Sequence, residues 1–138
     1  DRADRLSASF ALFRPRLDAL TTEFTRGLSG SLPDAADAFG QLFDRHADRF
    51  AAEVERLGTA MPDVRAAEDA LRALGATLAD RGVGPDRYPL IRDVWLASME
   101  RVGDYAWTDR LEADWSAALN AMAAVMAEGA RSARTRAA

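Results

Sequence analysis

The sequence contains no cysteine and no lysine, and it has a single histidine, His46. Without cysteine there are no disulfides, no thiolate nucleophiles and no zinc–thiolate sites. Without lysine there is no Schiff-base chemistry, because arginine stays charged and cannot replace it. The sequence also lacks an apolar run of the roughly 20 residues that cross a bilayer. We therefore expect no membrane association, and a cytoplasmic location is compatible with a chain that needs no disulfides.

The composition is that of a globular domain. Of the 138 residues, 49% are hydrophobic and 29% are charged, which is enough for one domain with one core. The formal net charge of −4 argues against a nucleic-acid partner. We expect residues 1–130 to form a single domain and residues 131–138 to form an arginine-rich tail that frays.

Apolar residues recur at spacings of three and four nearly throughout, which predicts amphipathic helices. Pro15 splits the first stretch because proline lacks an amide donor. A short helix should therefore end near Arg14, and a longer one should run from Pro15 to Ser29. Further helical segments are predicted at 34–39, 43–61, 71–78 and 88–102, and from 108 onward. Thr108 can cap the last helix, and no segment shows strand alternation. The prediction is an all-α fold.

Three motifs occur in the order and spacing of a known family. They are Ala8-Ser9-Phe10-Ala11-Leu12 through Phe24, then Leu74-Gly75 … Gly82-Val83 … Arg87-Tyr88, and Gly103-Asp104-Tyr105-Ala106-Trp107-Thr108 with Trp115 after it. Together they resemble bacterial single-domain globins and the globin module of flavohaemoglobins, over roughly Leu6 to Gly129. The resemblance implies a globin fold of about six to eight helices. It also implies oxygen binding, or nitric-oxide detoxification where a reductase domain is attached, but this sequence contains no dinucleotide motif of a reductase.

On the proximal side, the resemblance implies an altered haem pocket. The family's iron-binding histidine lies four residues before the glycine of the Gly-Val pair. That glycine is Gly82 here, so the iron-binding position falls on Leu78. Leucine has no lone pair and cannot bind iron. The tyrosine that supports the proximal side in the family matches Tyr88.

On the distal side, the resemblance assigns four further pocket positions. The phenylalanine that packs on haem matches Phe39. The distal-helix position matches His46, and the apolar residue one turn later matches Phe50. The tyrosine that donates a hydrogen bond to bound oxygen would fall at Thr25.

These assignments leave more than one function open. Our preferred hypothesis is a globin-fold, non-catalytic binding, sensory or regulatory module that has lost haem binding and needs no cofactor. The alternative is a protein that binds haem b and a diatomic gas, oxygen or nitric oxide, with His46 as iron ligand or distal residue. An enzyme acting on a small apolar substrate is a third reading, but no catalytic constellation supports it.

The sequence also allows predictions about partners and about the role of the tryptophans. The resemblance suggests a homodimer through the last two helices, and the altered pocket suggests a protein partner or a small apolar ligand. The three tryptophans, Trp95, Trp107 and Trp115, lie at helical spacing. Core packing is therefore favoured over a ligand cage, with each indole N–H seeking one acceptor.

Overall fold

A computed structural model describes residues 2–42, 47–60 and 64–137, without the side chains of 47, 48, 50 and 134–137. Its α-helices are α1 Arg2–Phe13, α2 Leu17–Ser31, α3 Pro33–Leu42, α4 Ala47–Ala60, α5 Glu68–Asp80, α6 Tyr88–Gly103 and α7 Asp109–Ala137. Short 3₁₀ helices lie at Arg14–Arg16, Val64–Ala67, Pro85–Arg87 and Asp104–Ala106. The described residues contain no strand, so the all-α prediction is confirmed.

The helix boundaries follow the breakers and caps in the sequence. α1 ends at Phe13, and the 3₁₀ turn that contains Pro15 separates it from α2. At the start of α7, the backbone N–H of Leu111 donates to Thr108 Oγ1 at 3.2 Å, which is the predicted N-cap. Local chemistry therefore sets these two boundaries.

The prediction of a frayed tail at residues 131–138 needs correction. α7 continues to Ala137, so residues 131–137 extend the last helix. Ala130 is fully buried and Ala133 is nearly so, which ties this part of α7 to the rest of the protein. Alanine and arginine are also strong helix formers. The composition suggested a frayed terminus, but α7 continues past Gly129, where Ala130 and Ala133 are buried.

α5 and α7 touch backbone to backbone. A Cβ on Gly75 would lie 1.9 Å from the carbonyl oxygen of Met126, and one on Gly129 would lie 1.9 Å from that of Arg72. Non-bonded atoms ordinarily stay about 3.5 Å apart, so any side chain at either position would force the helices apart. The contact holds α5 close to α7, and it places Leu78 and Met126 around the same cavity.

A charged pair ties α1 to α7. Arg5 Nε donates to Asp114 Oδ2 at 2.6 Å and Arg5 Nη2 donates to Asp114 Oδ1 at 3.0 Å. The hydrogen bond from Arg5 lowers the pKa of Asp114, whose side chain is only 6% exposed. Beside this pair, Trp115 Nε1 donates to Ser9 Oγ at 2.9 Å. The sequence analysis did not predict this pairing, because it joins residues more than 100 positions apart.

No helix in the described ranges has the length and apolar character needed to span a membrane.

Candidate functional site

A cavity of about 150 Å³ lies between the helices, and we call it the central cavity. It lies where the two groups of core residues meet. Phe10 and Trp115 belong to the group built from α1, α2, α4, α6 and α7, while Phe24 and Leu78 belong to the group around α2, α3 and α5. The wall also includes Leu57, Leu74, Ile91, Leu119 and Met122. The site is therefore an apolar space between packed helices that is partly open to solvent.

Aromatic rings in edge-to-face contact form one part of the wall. The Phe24 ring meets the Trp95 ring edge-to-face, with centroids 5.0 Å apart, and it meets the Phe39 ring in the same way at 5.6 Å. Edge-to-face pairs in this range are favourable because the positive ring edge faces the negative ring face. Three aromatic side chains from α2, α3 and α6 thus hold one another in place beside the cavity.

Among the described lining residues, the two charged side chains are partly exposed to solvent. Glu53 and Arg92 line the cavity, and the side chain of each is about a third exposed. Glu53 pairs with Arg56 one turn along α4. Arg92 donates to Asn120 Oδ1 at 2.8 Å and to Asp93 Oδ1 at 3.1 Å. Both charges are therefore held by partners at the rim.

Two hydrogen-bond donors in the wall have no partner among the residues that the structure describes. Tyr88 Oη and Trp95 Nε1 are buried and make no hydrogen bond within the described structure. Tyr88 as a whole is only 6% exposed, and burial raises the pKa of its hydroxyl. The phenol therefore stays neutral and able to donate at ordinary pH. The two residues lie two turns apart on α6, which places them on the same face of that helix.

The structure brings together three of the six pocket positions inferred from the resemblance. Leu78 lines the central cavity with no exposed surface, and Phe39 and Tyr88 line it as well. His46 lies outside the described residues, and so does the side chain of Phe50. The roles assigned to those two residues stay predictions.

Thr25 does not belong to the site, and this assignment is corrected. Its side chain is exposed, and Thr25 Oγ1 donates to the carbonyl oxygen of Thr21 at 2.8 Å. The preceding residue, Phe24, faces the cavity instead. One residue along a helix turns the side chain by about 100°, so an alignment displaced by a single position exchanges a wall residue for a surface one.

The sequence analysis also did not predict that the indole N–H of Trp95 lacks an acceptor among the described residues. We expected each indole to find an acceptor, and Trp115 does so with Ser9. Trp95 packs on Phe24 as a core residue, but its N–H has no acceptor within the described ranges. The spacing of Tyr88 and Trp95 indicates that they share a face of α6, but it gives no signal that either donor lacks an acceptor.

These features define an all-helical protein built around an internal apolar cavity. A family model described as Globin matches residues 27–126, which is more than two thirds of the chain. The chain belongs to the globin family. No curated protein is significantly similar to it in sequence. The bacterial subgroup and the homodimer through α6 and α7 stay predictions.

Membership of the globins raises the question of whether haem fits the central cavity. Globins hold iron through a histidine nitrogen. In the described part of the wall, position 78 is a hydrocarbon, and the indole nitrogens of Trp95 and Trp115 carry hydrogen and only donate. The thioethers of Met122 and Met126 are the remaining soft donors, and core filling is their usual role. The described donor set does not fit haem bound through a proximal imidazole.

Proposed function

We propose that this globin is a non-catalytic binding module with a sensory or regulatory role, and that it takes a small apolar ligand without haem. The observation that carries the proposal is Leu78, a fully buried hydrocarbon side chain in the cavity wall. The resemblance puts the family's iron ligand at this position. Without the Fe–N bond, haem would depend on apolar contact alone.

The size of the cavity supports the same function. Its volume is about 150 Å³. An apolar cavity of about this volume takes benzene or xenon, whereas pockets for larger organic ligands hold roughly 300–1,000 Å³. A ligand the size of one ring fits this volume without movement of the helices, which supports a small ligand over a porphyrin.

The chemistry of the wall supports a binding role over a catalytic one. General acid–base catalysis requires a group whose pKa lies near the working pH. Burial raises the pKa of Tyr88 further from neutrality. Glu53 is paired with Arg56 at the rim. These described groups can position a ligand, but they are poorly suited to exchange a proton with it.

Titration with haem tests the proposal. Purified protein mixed with haem should not develop a Soret band that saturates at one haem per chain, because no proximal imidazole is available. A haem-binding globin treated in parallel is the positive control. Benzene or xenon should bind and raise the melting temperature, since a ligand that binds only the folded state stabilises it.

A His46→Ala variant separates the proposal from its alternative. A stoichiometric Soret band in the wild type that disappears in His46→Ala would refute the proposal and establish haem ligation by His46. A band that persists in His46→Ala would also refute it and would assign iron to another donor. A Leu78→His variant restores an imidazole in the wall, and we expect it to bind haem more tightly than the wild type does.

A further inference from the structure

Two residues that line the central cavity, Tyr88 and Trp95, each carry a buried donor that has no hydrogen-bond partner among the described residues. Buried polar groups are hydrogen-bonded in the great majority of cases, so an exception calls for an explanation. Trp115 lines the same cavity, and its N–H donates to Ser9 at 2.9 Å. The fold therefore satisfies the indole of Trp115, while Tyr88 Oη and Trp95 Nε1 have no acceptor in the described part of the chain.

The surroundings of the two donors indicate what would satisfy them. The central cavity is apolar, and the charged side chains Glu53 and Arg92 at its rim are engaged by Arg56 and by Asn120 and Asp93. An ionised group moved into such a space loses its hydration without gaining a counter-charge, which is strongly unfavourable. An oxygen acceptor on a neutral molecule gains two donors at little desolvation cost. The cavity therefore favours a neutral ligand over a carboxylate.

We propose that the central cavity binds a neutral, single-ring molecule that carries a carbonyl-type oxygen, and that this oxygen accepts a hydrogen bond from Tyr88 Oη, with Trp95 Nε1 as the second available donor. This inference rests on the haem-independent binding function proposed above and specifies its ligand class. The ring occupies the apolar space beside Phe24 and Leu78. The oxygen turns toward the donor face of α6.

A pair of ligands of the same shape tests the role of the oxygen. Acetophenone and α-methylstyrene differ only in that a C=O group replaces a C=CH₂ group. Isothermal titration calorimetry should give acetophenone an affinity about fivefold higher, which is what one net hydrogen bond contributes. In ¹⁵N-labelled protein, acetophenone should move the indole N–H signal of Trp95, while the signals of Trp107 and Trp115 should stay in place.

A matched pair of tyrosine variants tests the donor. Tyr88→Phe removes only the hydroxyl, and it should reduce the preference for acetophenone to less than twofold while leaving the affinity for α-methylstyrene unchanged. Tyr105→Phe makes the same chemical change at a side chain that is 94% exposed, and it should retain the full preference. Circular dichroism checks that both variants are folded.

The outcomes distinguish this inference from the function on which it rests. Equal affinity for the two ligands in the wild type would overturn the acceptor requirement and leave apolar binding intact. A preference that persists in Tyr88→Phe would overturn the assignment of the donor. Tighter binding of benzoate than of acetophenone would overturn the inference that the ligand is neutral. If none of the ligands binds, the proposed function itself fails.

Discussion

The sharpest structural prediction concerns Gly75, where α5 and α7 meet. A Gly75→Ala change places a methyl group 1.9 Å from the carbonyl oxygen of Met126. The obstacle is backbone, so no side-chain rotation can make room. Restoring a separation of about 3.5 Å requires the two helices to move apart by about 1.5 Å. Because both helices line the central cavity, the same movement opens its wall.

The expected cost combines two opposing effects. Overpacking a tight contact costs about 3 kcal/mol at the upper end of its usual range. We use this upper value because the new methyl group meets backbone, which cannot rotate out of the way. Alanine favours a helix over glycine by about 1 kcal/mol. The net loss in the free energy of unfolding is therefore about 2 kcal/mol. For a chain of this length it corresponds to a melting temperature about 8 °C lower.

Gly30→Ala provides the matched control. Gly30 is exposed on α2, and a Cβ there would have nothing within 4 Å. Only the helix-propensity effect remains, and it is smaller in the last turn of α2 than in a helix interior, so this variant should be about 0.5 kcal/mol more stable than the wild type. Urea unfolding followed by circular dichroism measures both changes. If Gly75→Ala is as stable as the wild type while Gly30→Ala gains stability, the close crossing of α5 and α7 is wrong.

Two other changes test the polar groups of the protein. Tyr88→Phe should raise the free energy of unfolding of the ligand-free protein by about 1 kcal/mol in urea titrations, because it removes a buried hydroxyl that has no partner; lower stability would reveal a partner that the described structure lacks. Asp114→Asn should destabilise the protein near neutral pH and reduce its sensitivity to acid. The bond from Arg5 lowers the folded-state pKa of Asp114 below its ordinary value of 3.8, so the stability it contributes is complete above that value and disappears as the pH falls through the folded-state pKa. Equal loss of urea resistance on acidification in the wild type and in Asp114→Asn would contradict this reasoning.

The parts of the fold that local chemistry controls were predictable from the sequence. Pro15 and Thr108 mark helix boundaries because the lack of an amide donor and the presence of a capping hydroxyl act within a few residues. The tail past Gly129 was not predictable in this way. Its helix depends on the burial of Ala130 and Ala133, which composition does not reveal.

The candidate site was only partly predictable, because it depends on contacts between distant helices. Of the positions that the resemblance assigned, Leu78, Phe39 and Tyr88 line the central cavity, and their roles in binding stay predictions. At position 25 an offset of one residue was enough to select the surface side of α2. The missing acceptor of the Trp95 indole among the described residues was not predictable from the sequence. Whether a donor is satisfied depends on all the groups around it and not on the spacing of its residue along the helix.

The hydroxyl of Tyr88 connects the stability of this globin with its proposed ligand. Without a bound ligand the hydroxyl should lower the free energy of unfolding, because it loses its hydration and has no acceptor among the described residues. Phenylalanine would fill the same space and avoid that cost. Binding sites often keep groups that are unfavourable for folding, because such groups act on the ligand. If Tyr88→Phe is more stable than the wild type and also loses the preference for acetophenone, one atom accounts for both effects. A gain in stability with no change in preference would separate them and leave the hydroxyl without a role in binding.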